Sequence, residues 1–152
     1  MIYLDTSALL KLVKDDEAEG PALRAHLEAT AEPRLVSSTL LAVEARRSML
    51  RIRPEGLSKV DLVLAAVAQI SISDAVIESA SRLPDPLLRS LDAIHLATAL
   101  LIRDDIETVL TYDVRLRGAA EAHGLLTAAP GLAQATTTPT PSDTAAAPNA
   151  AE

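Results

Sequence analysis

Cysteine, phenylalanine and tryptophan are all missing from this chain of 152 residues, and two tyrosines make up its whole aromatic content of 1%. Without cysteine there can be no disulfide and no thiolate zinc site, which fits a reducing cytoplasm. With so few aromatic rings there is no stacking platform for single-stranded nucleic acid. The core must instead be aliphatic and alanine-rich. Basic residues are short as well: 14 Lys and Arg against 21 Asp and Glu leave a net charge of -7. That argues against a simple basic nucleic-acid-binding module. It does not exclude chemistry on nucleic acid, because an acidic pocket can meet phosphate through divalent cations. Long apolar runs are also absent. The longest block, residues 93–102, is broken by His95 and Thr98 and falls short of the ~20 residues of a membrane span. The chain opens without a basic stretch ahead of an apolar one, so no signal peptide is expected.

What is present reads as one domain, residues 1–127, long enough to bury a core. A tail from 128 to 152 follows, rich in Ala, Pro and Thr and expected to be disordered. Within the domain, short apolar runs alternate with helical patterns. Strands are predicted at 2–4, 34–38, 70–73 and 108–113, with an edge strand at 124–128. Helices are predicted at 6–12, 21–30, 39–52, 58–69, 74–83, 90–102 and 114–123, with Ser58 and Ser90 as caps. The alternation implies an α/β fold with a mostly parallel sheet covered on both faces. Ligands of such sheets sit at the carboxyl ends of the strands.

Four acids stand out, and each has a plain structural reading. Asp5, in MIYLDTSALL, ends the first strand and could simply cap the helix that Thr6 and Ser7 open. Glu44 borders the apolar face of its helix and could pair with Arg47 or Ser48. Asp92 opens a helix that is apolar nearly all round, where the helix dipole favours an acid. Its stripe continues through Leu96 and Ala99, however, and a carboxylate on a buried surface needs something to neutralise it. Asp113 ends a strand and could cap the next helix. His95, one turn beyond Asp92, reads as a satisfied core histidine or an orienting partner, since no metal-ligand spacing such as HxH accompanies it. Together the acids have a second reading. Two lie at strand ends and two on helices that could converge on the same sheet edge. Four clustered carboxylates raise one another's pKa values, and a hard cation with oxygen ligands relieves that. Phosphodiester hydrolysis is the chemistry that uses such a pocket.

The segments IYLDTSALLKL, SSTLLAVEARR, LRSLDAIHLATAL and VLTYDVRLRGAAEAHGL, in this order, resemble the PIN-domain ribonucleases, and among them the VapC toxins of bacterial toxin–antitoxin pairs. The resemblance spans residues 1–127. It implies a PIN-like three-layer fold, a mostly parallel sheet flanked by helices. It implies a metal-dependent endoribonuclease that hydrolyses RNA phosphodiester bonds and inhibits translation. Mg²⁺ is the implied cofactor, with Mn²⁺ as a substitute. The family's four catalytic, metal-binding acids fall on Asp5, Glu44, Asp92 and Asp113. Asp5 and Asp92 are the expected direct ligands. Glu44 and Asp113 complete the pocket, directly or through water. Thr6 and Ser7 match small hydroxyl residues that help orient the first Asp or a bound water. The implied partners are a VapB-type antitoxin, whose basic residue would enter the acidic pocket, and a second copy in a homodimer. The Ala/Pro/Thr tail has no counterpart in the family pattern.

Two enzyme classes with strand-end acids fit less well. Phosphatases of the haloacid dehalogenase type need a second Asp two residues after the first, where this chain has Ser7. Response-regulator receivers need an adjacent acid pair and a late strand-end Lys, and no Lys follows Lys59. A non-catalytic module that docks basic partners on its acids is the remaining alternative.

Overall fold

Strand β1, Ile2–Leu4, is buried at every position, as expected of a strand with both faces covered. In the computed structural model, which describes residues 1–14 and 16–132, β1 is the centre of a five-stranded sheet. Its companions are β2 (Leu35–Ser38), β3 (Val67–Ile70), β4 (Thr108–Leu110) and β5 (Thr127–Ala128), in the order β3-β2-β1-β4-β5. Every pairing is parallel. Because side chains alternate along a strand, β1 feeds two cores. Ile2 and Leu4 pack with Leu9, Leu23, Leu41, Met49 and Val60 on one face. Tyr3 packs with Val36, Leu96, Val109 and Leu116 on the other.

The first face is covered by α1 (Thr6–Val13), α2 (Gly20–Ala29), α3 (Leu40–Ile52) and α4 (Leu57–Ala65). The second is covered by α6 (Ser90–Leu101) and α7 (Val114–Ala122), with α5 (Asp74–Ser81) packed on α6. The result is the three-layer α/β fold expected from the alternation. With Leu4 opposite Leu110 in the β1–β4 register, the segments after both strands emerge side by side at the carboxyl edge of the sheet.

Several boundaries differ from the sequence reading. Helix α4 begins at Leu57, so Ser58 lies inside it, and ends at Ala65. The following VAQI is strand β3 rather than helix, because Leu35 to Ser38 offer it a parallel ladder from Val67 to Ile70. Arg89, not Ser90, occupies the N-cap of α6, without a side-chain bond. Strand β4 stops at Leu110 because Thr111 and Asp113 turn their side chains to local hydrogen bonds. Gly124, at φ 79°, makes the turn after α7, which delays β5 to Thr127. The structured chain also runs past residue 127. Ala128 pairs with Leu110, and the Tyr112 hydroxyl donates to the Pro130 carbonyl at 2.7 Å. The rest of the expected tail, from 133 onward, lies outside the described residues.

Candidate acidic site at the sheet edge

Asp5 follows β1 and is only 5% exposed. It caps α1 as the plain reading expects, taking the Ser7 N–H at 3.2 Å on Oδ2. The same oxygen accepts the Ser7 hydroxyl at 2.6 Å and the Thr111 hydroxyl at 2.9 Å. These donors are tied in turn to the loop after β4. Ser7 Oγ accepts the Tyr112 N–H at 2.8 Å, and Thr111 Oγ1 accepts the Asp113 N–H at 3.1 Å. One oxygen of Asp5 is thus saturated, whereas Oδ1 takes no hydrogen bond among the described residues.

Glu44 is held in the same way. Its Oε2 accepts the Thr6 hydroxyl at 2.7 Å and lies 2.9 Å from His95 Nε2. Arg47 and Ser48 are not its partners. Burial pushes the Glu44 carboxyl up, but the bonds from His95 and Thr6 outweigh it and hold the group below its ordinary value. Thr6 therefore orients Glu44 rather than Asp5, while Ser7 does orient Asp5. Asp113 caps α7, with Oδ1 accepting the N–H groups of Arg115 and Leu116 at 2.8 and 3.1 Å.

Asp92 is different. It lies in the first turn of α6, and its Oδ2 is buried with no hydrogen-bond partner. Burial raises its pKa first. The charges of Asp113, Asp5 and Glu44 raise it further, and Arg89 offsets only part. Asp5 and Asp113 thus each cap a helix, as the plain reading expects, and each also lines a cleft with Glu44 and Asp92.

That cleft has a volume of about 500 Å³. All four acids line it together with Thr6 and Ser7, and α3 contributes Val43, Arg47 and Arg51 along one wall. Val43 and Leu91 on its rim are exposed. A larger cleft, about 860 Å³, lies elsewhere, between His26, α7 and residues 127–132. Its one carboxylate, Glu121, is engaged by the Thr127 hydroxyl. The sequence reading missed Thr111, which it placed inside a strand, and the direct contact of His95 with Glu44. A hydroxyl just before a strand-end acid, and a histidine one turn after a helix-start acid, were the available signals.

A hard divalent cation fits the donor set, which is entirely oxygen, with one buried oxygen orphaned and three further carboxylates around it. Among the described residues, no three His, Asp or Glu side chains are arranged to hold a metal by themselves. Mg²⁺ does not require this, since it keeps several waters and uses few carboxylates.

This edge of a parallel sheet, with acids at the caps of α1 and α7 and on α3 and α6, has counterparts in known proteins. The chain matches the PIN domain model over residues 2–122 and belongs to that family. At finer grain it is 44% identical to Ribonuclease VapC35 of Mycobacterium tuberculosis, over 88% of this chain and 100% of that one. Among solved structures it is similar to M. tuberculosis VapC20, a toxin that cleaves the sarcin-ricin loop, with a TM-score of 0.66 and 17% identity over 83% of this chain and 97% of that one. It is also similar to a chain of a toxin–antitoxin complex from Klebsiella pneumoniae, with a TM-score of 0.59 and 25% identity over 76% and 88%.

Proposed function

We propose that this protein is a divalent-cation-dependent endoribonuclease, the toxin of a VapBC-type pair, which stops translation by hydrolysing phosphodiester bonds in RNA. The observation that carries the reading is the orphaned, buried oxygen of Asp92, a residue that lines one cleft with three other carboxylates and feels the charge of each. Such a charge cluster is costly without a cation. The 44% identity to a named ribonuclease supports the same reading.

Asp5 and Asp92 would hold Mg²⁺, or Mn²⁺ in its place, and Glu44 and Asp113 would complete the pocket directly or through water. The ion, when bound, supplies an acidified water and charge stabilisation on the phosphate. The chain supplies the rest. Ser7 and Thr111 fix Asp5 through one oxygen, so that Oδ1 remains for the cleft. Thr6 and His95 fix Glu44 the same way. With Glu44 held below its ordinary pKa, it is an ionised carboxylate at neutral pH, able to hold the ion or a water bound to it. Arg47 and Arg51 on the wall of the cleft bring the positive charge that an RNA backbone needs in a chain of net charge -7.

The partner is a VapB-type antitoxin. An acidic floor with Val43 and Leu91 exposed on the rim suits a segment carrying an Arg or Lys between apolar residues. The family resemblance points to a homodimer acting in the cytoplasm. No helix among the described residues is long and apolar enough to cross a membrane.

The test is cleavage of RNA by the purified full chain. Cutting with Mn²⁺ or Mg²⁺, silence in EDTA and recovery when the ion returns are expected. Undiminished cutting in EDTA would overturn the metal role, and no cutting with any divalent ion would overturn the enzyme.

A further inference from the structure

His95 is 1% exposed, yet it reaches groups from both layers. Its Nδ1 lies 3.0 Å from the Tyr3 hydroxyl of β1, and its Nε2 lies 2.9 Å from Glu44 Oε2 of α3. The two rings meet edge to face, with centroids 6.0 Å apart and planes at 85°. Nε2 also comes within 3.9 Å of Asp5 Oδ1.

The Ser38 N–H donates to the Tyr3 oxygen at 3.2 Å. An ionised carboxylate can only accept, so the contact of Nε2 with Glu44 is an N–H donated to Oε2. Tyr3 holds the ring through Nδ1, with the Ser37 and Thr98 hydroxyls also beside the phenol. The backbone of β2 thus places the Tyr3 hydroxyl, Tyr3 holds the ring, and Nε2 supplies the second donor to Glu44 Oε2.

We propose that His95 is a positioning residue of the acidic site: held through Nδ1 by Tyr3, it clamps one oxygen of Glu44 and leaves the other for the ion-binding cleft. A histidine serving only as core filling needs neither bond to end on a candidate ligand. Outer partners of this kind typically carry 10–100-fold in metal affinity or activity.

The proposal rests on the metal-site reading above, and three substitutions separate the two. In His95→Gln the amide nitrogen extends to the place of Nε2 and can still donate to Glu44. In His95→Asn it extends only to the place of Nδ1 and can serve Tyr3 alone. His95→Ala serves neither. Mn²⁺ affinity is measured by titration calorimetry on the full-length protein, alongside kcat and KM for RNA cleavage and a thermal melt. Expected is Mn²⁺ affinity and kcat within about 3-fold of wild type for Gln, but about 10–100-fold lower for Asn and Ala, with KM for RNA little changed. Wild-type Mn²⁺ affinity in folded His95→Ala would overturn the proposal. So would a Gln variant that is folded but as impaired as Ala, since the donated N–H would then not be what matters. If Ala and Asn do not fold, the Gln variant and Tyr3→Phe remain. Tyr3→Phe removes the hold on Nδ1 and should weaken Mn²⁺ binding several-fold; unchanged affinity there would overturn the part assigned to Tyr3. If wild type itself neither binds Mn²⁺ nor cuts RNA, it is the functional reading that fails.

Discussion

Asp5 and Asp92 line the same cleft, and they differ in how the protein treats them. Asp5 is met by three donors on a single oxygen, whereas Asp92 has a buried oxygen that nothing meets. The strand-end side of the site is therefore finished by the polypeptide alone, and its hydrogen bonds would hold whether or not a cation were present. The α6 side is not finished. A buried acceptor without a partner costs about 1–3 kcal/mol. The contrast separates two jobs that one list of acids conceals: Asp5 is a fixed anchor, and Asp92 is the group whose charge is left waiting.

Activity should not distinguish them, and it shows the largest effect. Asp5→Asn and Asp92→Asn are each expected to lower kcat/KM for RNA cleavage by at least about 100-fold, on the scale of losing one electrostatic group at a reacting centre. Stability should distinguish them sharply. Asn keeps the capping acceptor at position 5, so Asp5→Asn should melt near wild type. Asp5→Ala removes the cap and strands two hydroxyl donors, at a cost of about 1–3 kcal/mol. Asp92→Asn should instead melt about 2–4 °C higher than wild type in metal-free buffer, about the gain from removing 1 kcal/mol of repulsion in a chain of this size. A metal-free Asp92→Asn protein that melts lower than wild type would remove the basis for the comparison.

Divalent ions and pH sharpen the same contrast. Saturating Mn²⁺, at ~100 times its Kd, should stabilise wild type by about 2.7 kcal/mol and leave Asp92→Asn nearly unmoved in a thermal melt. The pH dependence follows from opposite shifts. Asp92 is raised above its ordinary 3.8, so its ionised form opposes folding, and that opposition fades as pH falls through its folded value. Glu44 is lowered from 4.5, so its contribution is full above that value and is lost as pH falls through the lower folded one. Without metal, the advantage of Asp92→Asn over wild type should accordingly be present at neutral pH and shrink on acidification. Glu44→Gln should be less stable than wild type at neutral pH, with the gap closing in acid. Melting curves across pH 3–8 check both.

How far these roles could be read from the sequence varied with the range of the interaction. Strand β1 and the Asp5 cap were legible because both are local: an apolar run, then a residue that accepts N–H bonds. The three-layer architecture was legible because strands and helices alternate in blocks. The boundary between α4 and β3 was not, since LAAVAQ suits a helix until β2 offers a ladder, and that offer comes from 32 residues away. The acids were legible as a set but not in their partnerships. Thr6 has Asp5 as its neighbour, yet its hydroxyl goes to Glu44, 38 positions on. His95 read as ordinary core because it is core; what it touches depends on Tyr3, 92 positions earlier. Periodicity gives the face a side chain occupies, but the partner it meets there is decided by the tertiary fold.

The smallest effect concerns charge on the opposite sign of the cleft. Arg46 and Arg47 are adjacent, yet only Arg46 is engaged, by Asp61 at 2.8 Å on the face away from the cleft. Arg47 and Arg51, both exposed, line the cleft one and two turns beyond Glu44 and form no ion pair among the described residues. One helical turn advances ~5.4 Å, so the two guanidinium groups can follow a backbone as it leaves the acids. Each exposed charge contact is worth roughly 0.2–1 kcal/mol, so Arg47→Ala or Arg51→Ala should raise KM for RNA only a few-fold and leave kcat near wild type. The clearer signature is salt dependence. Each lost phosphate contact should reduce the slope of log affinity against log salt by about 0.7 for a single strand. Binding is best measured in the Asp5→Asn background, where RNA is not consumed. Arg46→Ala serves as the control and should leave the slope unchanged; if all three arginines change it alike, the positive charge acts as a diffuse field rather than as a track along α3.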